Sequence, residues 1–85
     1  MKKLIEIENE GMESLLGEVV TLMCANYFYT GKLVGVNDTC VKLESPKLIY
    51  ETGAWSNKDW KDAQSMNCDC IYVQTAFIES FGVMK

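Results

Sequence analysis

Between residues 18 and 81 the apolar positions fall into short runs that either alternate with polar residues or fill both faces, which is the period of β-strands. Residues 18–25, "EVVTLMCA", are β-branched and apolar on both faces and predict a strand covered on each side. Asn26 marks a turn, and residues 27–36 form a second strand. Asn37, Asp38 and Thr39 make a tight polar turn. In residues 40–44, Val41 and Leu43 share one face and Lys42 and Glu44 the other. Pro46 interrupts this ladder and predicts a bulge or an edge position, after which "KLIYE" resumes an extended pattern. Residues 68–74 are a further strand, with Asp69, Ile71 and Val73 on one face and Cys68, Cys70 and Tyr72 on the other. Residues 77–81 are the last, ended by Gly82.

Two segments break the strand pattern. "GMESLLG", residues 11–17, predicts one or two helical turns closed by Gly17. "SNKDWKDAQ", inside the long connection 53–67, predicts a short helix capped by Ser56 or Asn57 and carrying Trp60. Ahead of these, "LIEIE" reads as a short strand or an irregular arm. The expected architecture is mostly β: a short N-terminal helix, then a strongly bent, five-stranded antiparallel open barrel. All 85 residues form one domain, with an arm at 1–10 and a variable excursion at 45–67.

The second strand carries glycines at 31 and 35, where glycine weakens a ladder. A sheet this short covers its own core only by bending sharply, and glycine permits the bend. Gly31 is the expected corner. Gly35 is a point of close backbone approach or added coiling.

These residues carry a resemblance. "LLGEVVTLMCANYFYTGKLVGVNDTCVKL" resembles the first motif of the Sm-like (LSm) family, which includes bacterial Hfq, through Gly31, Leu33 and Asn37 on the bent strand. "CIYVQTAFIESF" is similar to the second motif, two strands joined by a very tight turn. The resemblance implies a homo-oligomeric ring that binds single-stranded RNA through two loops. Carried onto this chain, the RNA-contacting positions are Asn37, Asp38, Thr39, Gln74 and Thr75. The strands that pair between neighbours carry Ile71, Tyr72, Val73, Phe77, Ile78 and Phe81. The family's first loop usually holds an aromatic or histidine between its acidic and amide residues, and the second often holds Arg-Gly. Here neither is present, so the resemblance implies an atypical site, or a ring that acts as a structural or protein-interaction module.

Charge changes the picture in one respect. The net charge is −4, from 8 basic residues, all lysine, against 12 acids. With no arginine, bidentate phosphate recognition is unavailable. With no histidine, the usual acid–base and metal-ligating residue is missing. No phosphate loop or nucleophile motif stands out, so an enzyme, a cofactor and a small-molecule substrate are not expected. The four cysteines, Cys24, Cys40, Cys68 and Cys70, include one C-x-C within a predicted strand, and zinc knuckles usually space their ligands C-x2-C. Free thiols without metal are expected. Trp55, Lys58, Trp60 and Lys61 interleave aromatics with lysines, as a stacking surface for single strands does, but Asp59 and Asp62 offset the charge. Packing of the tryptophans on the barrel or on a neighbour is the favoured reading. Glu6, Glu8, Glu10 and Glu13 read as a solvated acidic face. The absence of a signal-peptide pattern or a membrane-length apolar run predicts a cytoplasmic protein.

Overall fold

The computed structural model describes residues 10–85. The arm before Glu10, with "LIEIE", Glu6 and Glu8, lies outside the described residues. Six antiparallel strands form an open sheet: β1 (Val19–Cys24), β2 (Phe28–Val36), β3 (Cys40–Glu51), β4 (Asp62–Ser65), β5 (Cys70–Gln74) and β6 (Ile78–Gly82). Their order is β4-β3-β2-β1-β6, and β5 also pairs with β3. β3 therefore serves β2 on one edge and two further strands on the other. Its first half, Cys40 to Glu44, pairs with β5, and its second half, Lys47 to Glu51, pairs with β4.

The switch between the halves is a bulge opposite Gly31. Thr30 pairs with Lys47 and Lys32 with Glu44, so Gly31 alone faces Ser45 and Pro46. Ser45 takes the left-handed conformation, φ 52°. A Cβ on Gly31 would lie 3.1 Å from the Glu44 carbonyl oxygen and 3.2 Å from the Leu43 Cβ. Gly31 is thus the corner that the sequence predicts, and it works by admitting the bulged strand. Pro46 does not end the strand. The bulge absorbs it, and the Met66 N–H donates to its carbonyl at 3.0 Å. A second irregularity, with the extra residue on β2, lies beside Gly35.

The core is one apolar cluster: Val20, Leu22 and Cys24 from β1, Leu33 from β2, Val41 and Leu43 from β3, and Val73 from β5. Met12, Leu15, Ile71 and Ile78 pack against it. Burying each large apolar side chain contributes roughly 1.5–3 kcal/mol. Thr21, Thr30 and Pro46 are buried outside this cluster. The Thr30 hydroxyl donates to the Val20 carbonyl at 3.0 Å.

Two predicted helices are corrected. The segment between Gly11 and Gly17 holds a single 3-10 turn, Met12–Leu15, and Gly17 follows it at φ 92° with its N–H on the Leu33 carbonyl. The "SNKDWKDAQ" segment is not a helix. Its last residues enter β4, the sixth strand, because the second half of β3 offers them backbone partners. Among the described residues no helix is long and apolar enough to cross a membrane.

Candidate functional site

The sheet pairing gathers the five loop residues at one end of the molecule. In the turn from β2 to β3, the Asn37 side-chain oxygen accepts from the Thr39 N–H at 2.8 Å, the Cys40 N–H at 2.9 Å and the Thr39 hydroxyl at 3.1 Å. Asn37 thereby folds its own turn, the local bonding that makes Asn common there. Its amide nitrogen is left to donate outward. Cys40 is in register with Gln74 across the β3–β5 pair, which brings the end of β5 beside this turn. Thr75 then stitches the two together: its hydroxyl donates to the Asp38 carbonyl at 3.1 Å and its N–H to the Thr39 carbonyl at 2.9 Å. Asn37, Asp38, Thr39 and Gln74 are exposed, and Thr75 is half-buried.

This cluster offers donors and acceptors but little charge. Asp38 is its one ionised side chain. The cation on the neighbouring strand pair is Lys42, whose ammonium lies 5.7 Å from the centre of the Tyr72 ring, its cross-strand partner. The one aromatic ring in these two connections is Phe77, which ends the Thr75–Phe77 turn and is 58% exposed.

The strands behind the cluster carry the second feature. Among the described residues β5 pairs only with β3 and β6 only with β1, so each leaves one edge of backbone groups without a partner among those residues. The 3-10 turn Thr75–Phe77 joins them without letting them pair with each other. Along these edges Tyr72 is 67% exposed, Phe77 58% and Phe81 40%. Val73 belongs to the core, and Ile71 and Ile78 rest against it. Ile78 opens β6, and its N–H donates back to the Thr75 carbonyl. A groove of about 420 Å³, lined by Cys24, Tyr27, Tyr29, Ile71, Tyr72 and Phe77 among others, runs beside this edge.

Two groups there have shifted protonation. Burial, reinforced by the Glu79 carboxylate, pushes the Cys24 thiol up. Burial, and then the neighbouring Cys24 and Tyr27, push the Tyr29 hydroxyl up. All four cysteines are free thiols, with Cys24 buried and Cys68 exposed.

The tryptophans sit elsewhere, on the connection from β3 to β4. Trp55 and Trp60 meet edge to face with ring centroids 5.6 Å apart. They pack with Lys85, which sequence reasoning did not single out. No periodicity or spacing links a residue after the last strand to a loop some thirty positions earlier. Lys61 pairs with Glu51 at 3.2 Å, and Lys58 is exposed.

Neither the protein-family models nor the curated proteins match this chain.

Proposed function

We propose that this chain is the subunit of a homo-oligomeric, Sm-like ring, a binding module and not an enzyme, working in the cytoplasm. Neighbours pair head to tail, the β5 edge of one subunit against the β6 edge of the next. The observation that carries this reading is the pair of unpartnered edges bearing Tyr72, Phe77 and Phe81. Exposed sheet edges invite pairing, and a head-to-tail contact that closes becomes a ring. The strand order and the bend at Gly31 fit the resemblance in the sequence.

In this proposal single-stranded RNA is the partner, held in RNA-chaperone fashion at Asn37, Asp38, Thr39, Gln74 and Thr75, which a ring would repeat around its axis. Binding is weak and salt-dependent, because lysines supply all the positive charge against a net charge of −4. A second reading is a ring that binds protein and no nucleic acid. The carboxylate of Asp38, the absence of arginine and the lack of an aromatic among Asn37, Asp38 and Thr39 favour it.

Fluorescence anisotropy with uridine-rich and adenine-rich oligonucleotides separates the two. With about three phosphate contacts, affinity should fall roughly tenfold to twentyfold between about 50 and 200 mM salt. Asn37→Ala and Gln74→Ala should each weaken binding further. No binding at the lower salt leaves the protein-binding ring. Tight binding at the higher salt contradicts the weak-site reading.

A further inference from the structure

The two tryptophans are the only ones in the chain, and between them they hold a cation. The Lys85 ammonium lies 5.3 Å from the centre of the Trp55 ring and 4.6 Å from that of Trp60. It donates to the Thr52 carbonyl at 2.7 Å and to the Ala54 carbonyl at 3.0 Å. Carbonyl lone pairs take its N–H bonds while the ring faces stabilise its charge, and Lys85 and Trp55 remain exposed to solvent.

The loop is shaped without help from Lys85. The Thr52 carbonyl already accepts from the Lys61 N–H at 3.3 Å, and the Ala54 carbonyl from the Asn57 N–H at 3.0 Å. Each carbonyl oxygen has a second lone pair to offer. Between them Gly53 stands at φ 70°, where side chains are strained, and a Cβ there would lie 3.1 Å from the Lys61 Cβ. The Lys61–Glu51 ion pair ties the far side of the loop to β3. The site is also open. A groove of about 600 Å³, lined by Gly31, Ser45, Asp59, Trp60, Asp62 and Lys85 among others, leads up to it. Glu44, Asp59 and Asp62 put carboxylates along that approach, among the lysines Lys32, Lys47 and Lys61.

We propose that the 52–60 loop is a binding site for a primary ammonium, that Lys85 fills it in cis, and that a lysine side chain of another polypeptide is the ligand it takes when Lys85 leaves. Direct N–H bonds to two carbonyls select a primary ammonium, since trimethylation removes every donor. Acetylation removes the charge as well. The sheet order gives the exchange a consequence. β6 ends the sheet on one side, and the β3–β4 connection lies at the other, so residues 83–85 strap the two sides together. A competing lysine unfastens that strap. This site is separate from the β5 and β6 edges and from the loop cluster, and it stands whether or not a ring forms.

Tryptophan fluorescence reads this site alone. The test uses the full chain, its Lys85→Met variant, and Nα-acetyl-lysine methylamide as the probe, beside the Nε-trimethyl and Nε-acetyl forms of that probe. Far-UV circular dichroism checks that Lys85→Met keeps the sheet, with Lys85→Gln as a second neutral variant. The lysine probe should change the emission of Lys85→Met saturably. The wild type should need at least about tenfold more probe, because a tethered competitor acts at millimolar effective concentration. The trimethyl and acetyl probes should produce no response, and Trp60→Leu in the Lys85→Met background should abolish it. No saturable response in either neutral variant overturns the site. An equal response to the trimethyl probe overturns the role of the carbonyls, and equal affinity in the wild type overturns occupancy by Lys85.

Discussion

From Cys40 to Glu44, β3 sends Val41 and Leu43 into the core and pairs with β5, which adds Val73 to the same cluster. From Lys47 to Glu51 it pairs with β4, and β4 buries none of its residues. Ile49 is buried on this half but stands outside the main cluster. Both halves are accompanied by exposed aromatics, differently engaged. Tyr72 on β5 is 67% exposed, with the Lys42 ammonium 5.7 Å from its ring centre. Trp55 and Trp60, beyond the second half, are engaged with each other and with Lys85. One continuous strand thus supports a folding core with an unsatisfied edge and an appended loop with its cation in place. The bulge at Ser45 and Pro46 keeps them apart.

The largest effect expected from this contrast is on stability. Leu43→Ala removes a fully buried side chain from the shared core and should cost about 4 kcal/mol, near the top of the range for such truncations. Ile49→Ala should cost about 2 kcal/mol, near the bottom, because fewer layers close over it. Urea unfolding followed by circular dichroism measures both. Equal losses would break the distinction between the halves.

Gly31→Ala tests the hinge that joins them. The new methyl meets backbone and Cβ atoms at 3.1 and 3.2 Å, which cannot rotate away, so a loss of about 1–3 kcal/mol is expected. Gly35→Ala, whose nearest neighbour would be the Lys42 Cβ at 3.4 Å, should cost less. The reverse ranking would place the corner at Gly35.

A smaller effect follows from Cys24 and Tyr29. Both groups hold their protons more tightly folded than unfolded, Cys24 by burial and then Glu79, Tyr29 by burial and then Cys24 and Tyr27. Their contribution is complete below the unfolded values of 9.0 and 10.0 and is lost as pH rises towards the folded ones. The urea midpoint should therefore fall on going above about pH 9, and Tyr29→Phe with Cys24→Ala should flatten that fall. A midpoint that rises with pH there would contradict the assignment.

Both halves of β3 were legible in the sequence, as alternation in residues 40–44 and as the extended "KLIYE", and the strand that joins the second half was not, for a physical reason. Val41 and Leu43 alternate with Lys42 and Glu44, and alternation follows directly from burying one face. The glycine at 31 fits the close approach of Glu44 and Leu43, where a Cβ would be crowded. β4 has no such signal. "DAQS" has neither β-branched nor large apolar residues, and it is a strand because Lys47 to Glu51 pair with it. The turn at Asn37, Asp38 and Thr39 was readable from its residue types. Its meeting with Thr75 depends on β3–β5 pairing, which no pattern in the chain announces. The Lys85 contact is wholly tertiary and leaves no pattern in the chain.

The central claim is that the β5 and β6 edges are completed by other copies of this chain. Multi-angle light scattering on a sizing column, at micromolar concentration, tests it most directly. The wild type should elute as one species at an integral multiple, above two, of the 9.6 kDa chain mass. Tyr72→Glu with Phe81→Glu, placed on the edges, should shift it to smaller species, and Trp55→Glu should not. A well-folded wild-type monomer of 9.6 kDa would contradict the account and leave an isolated, monomeric β-sheet domain in its place.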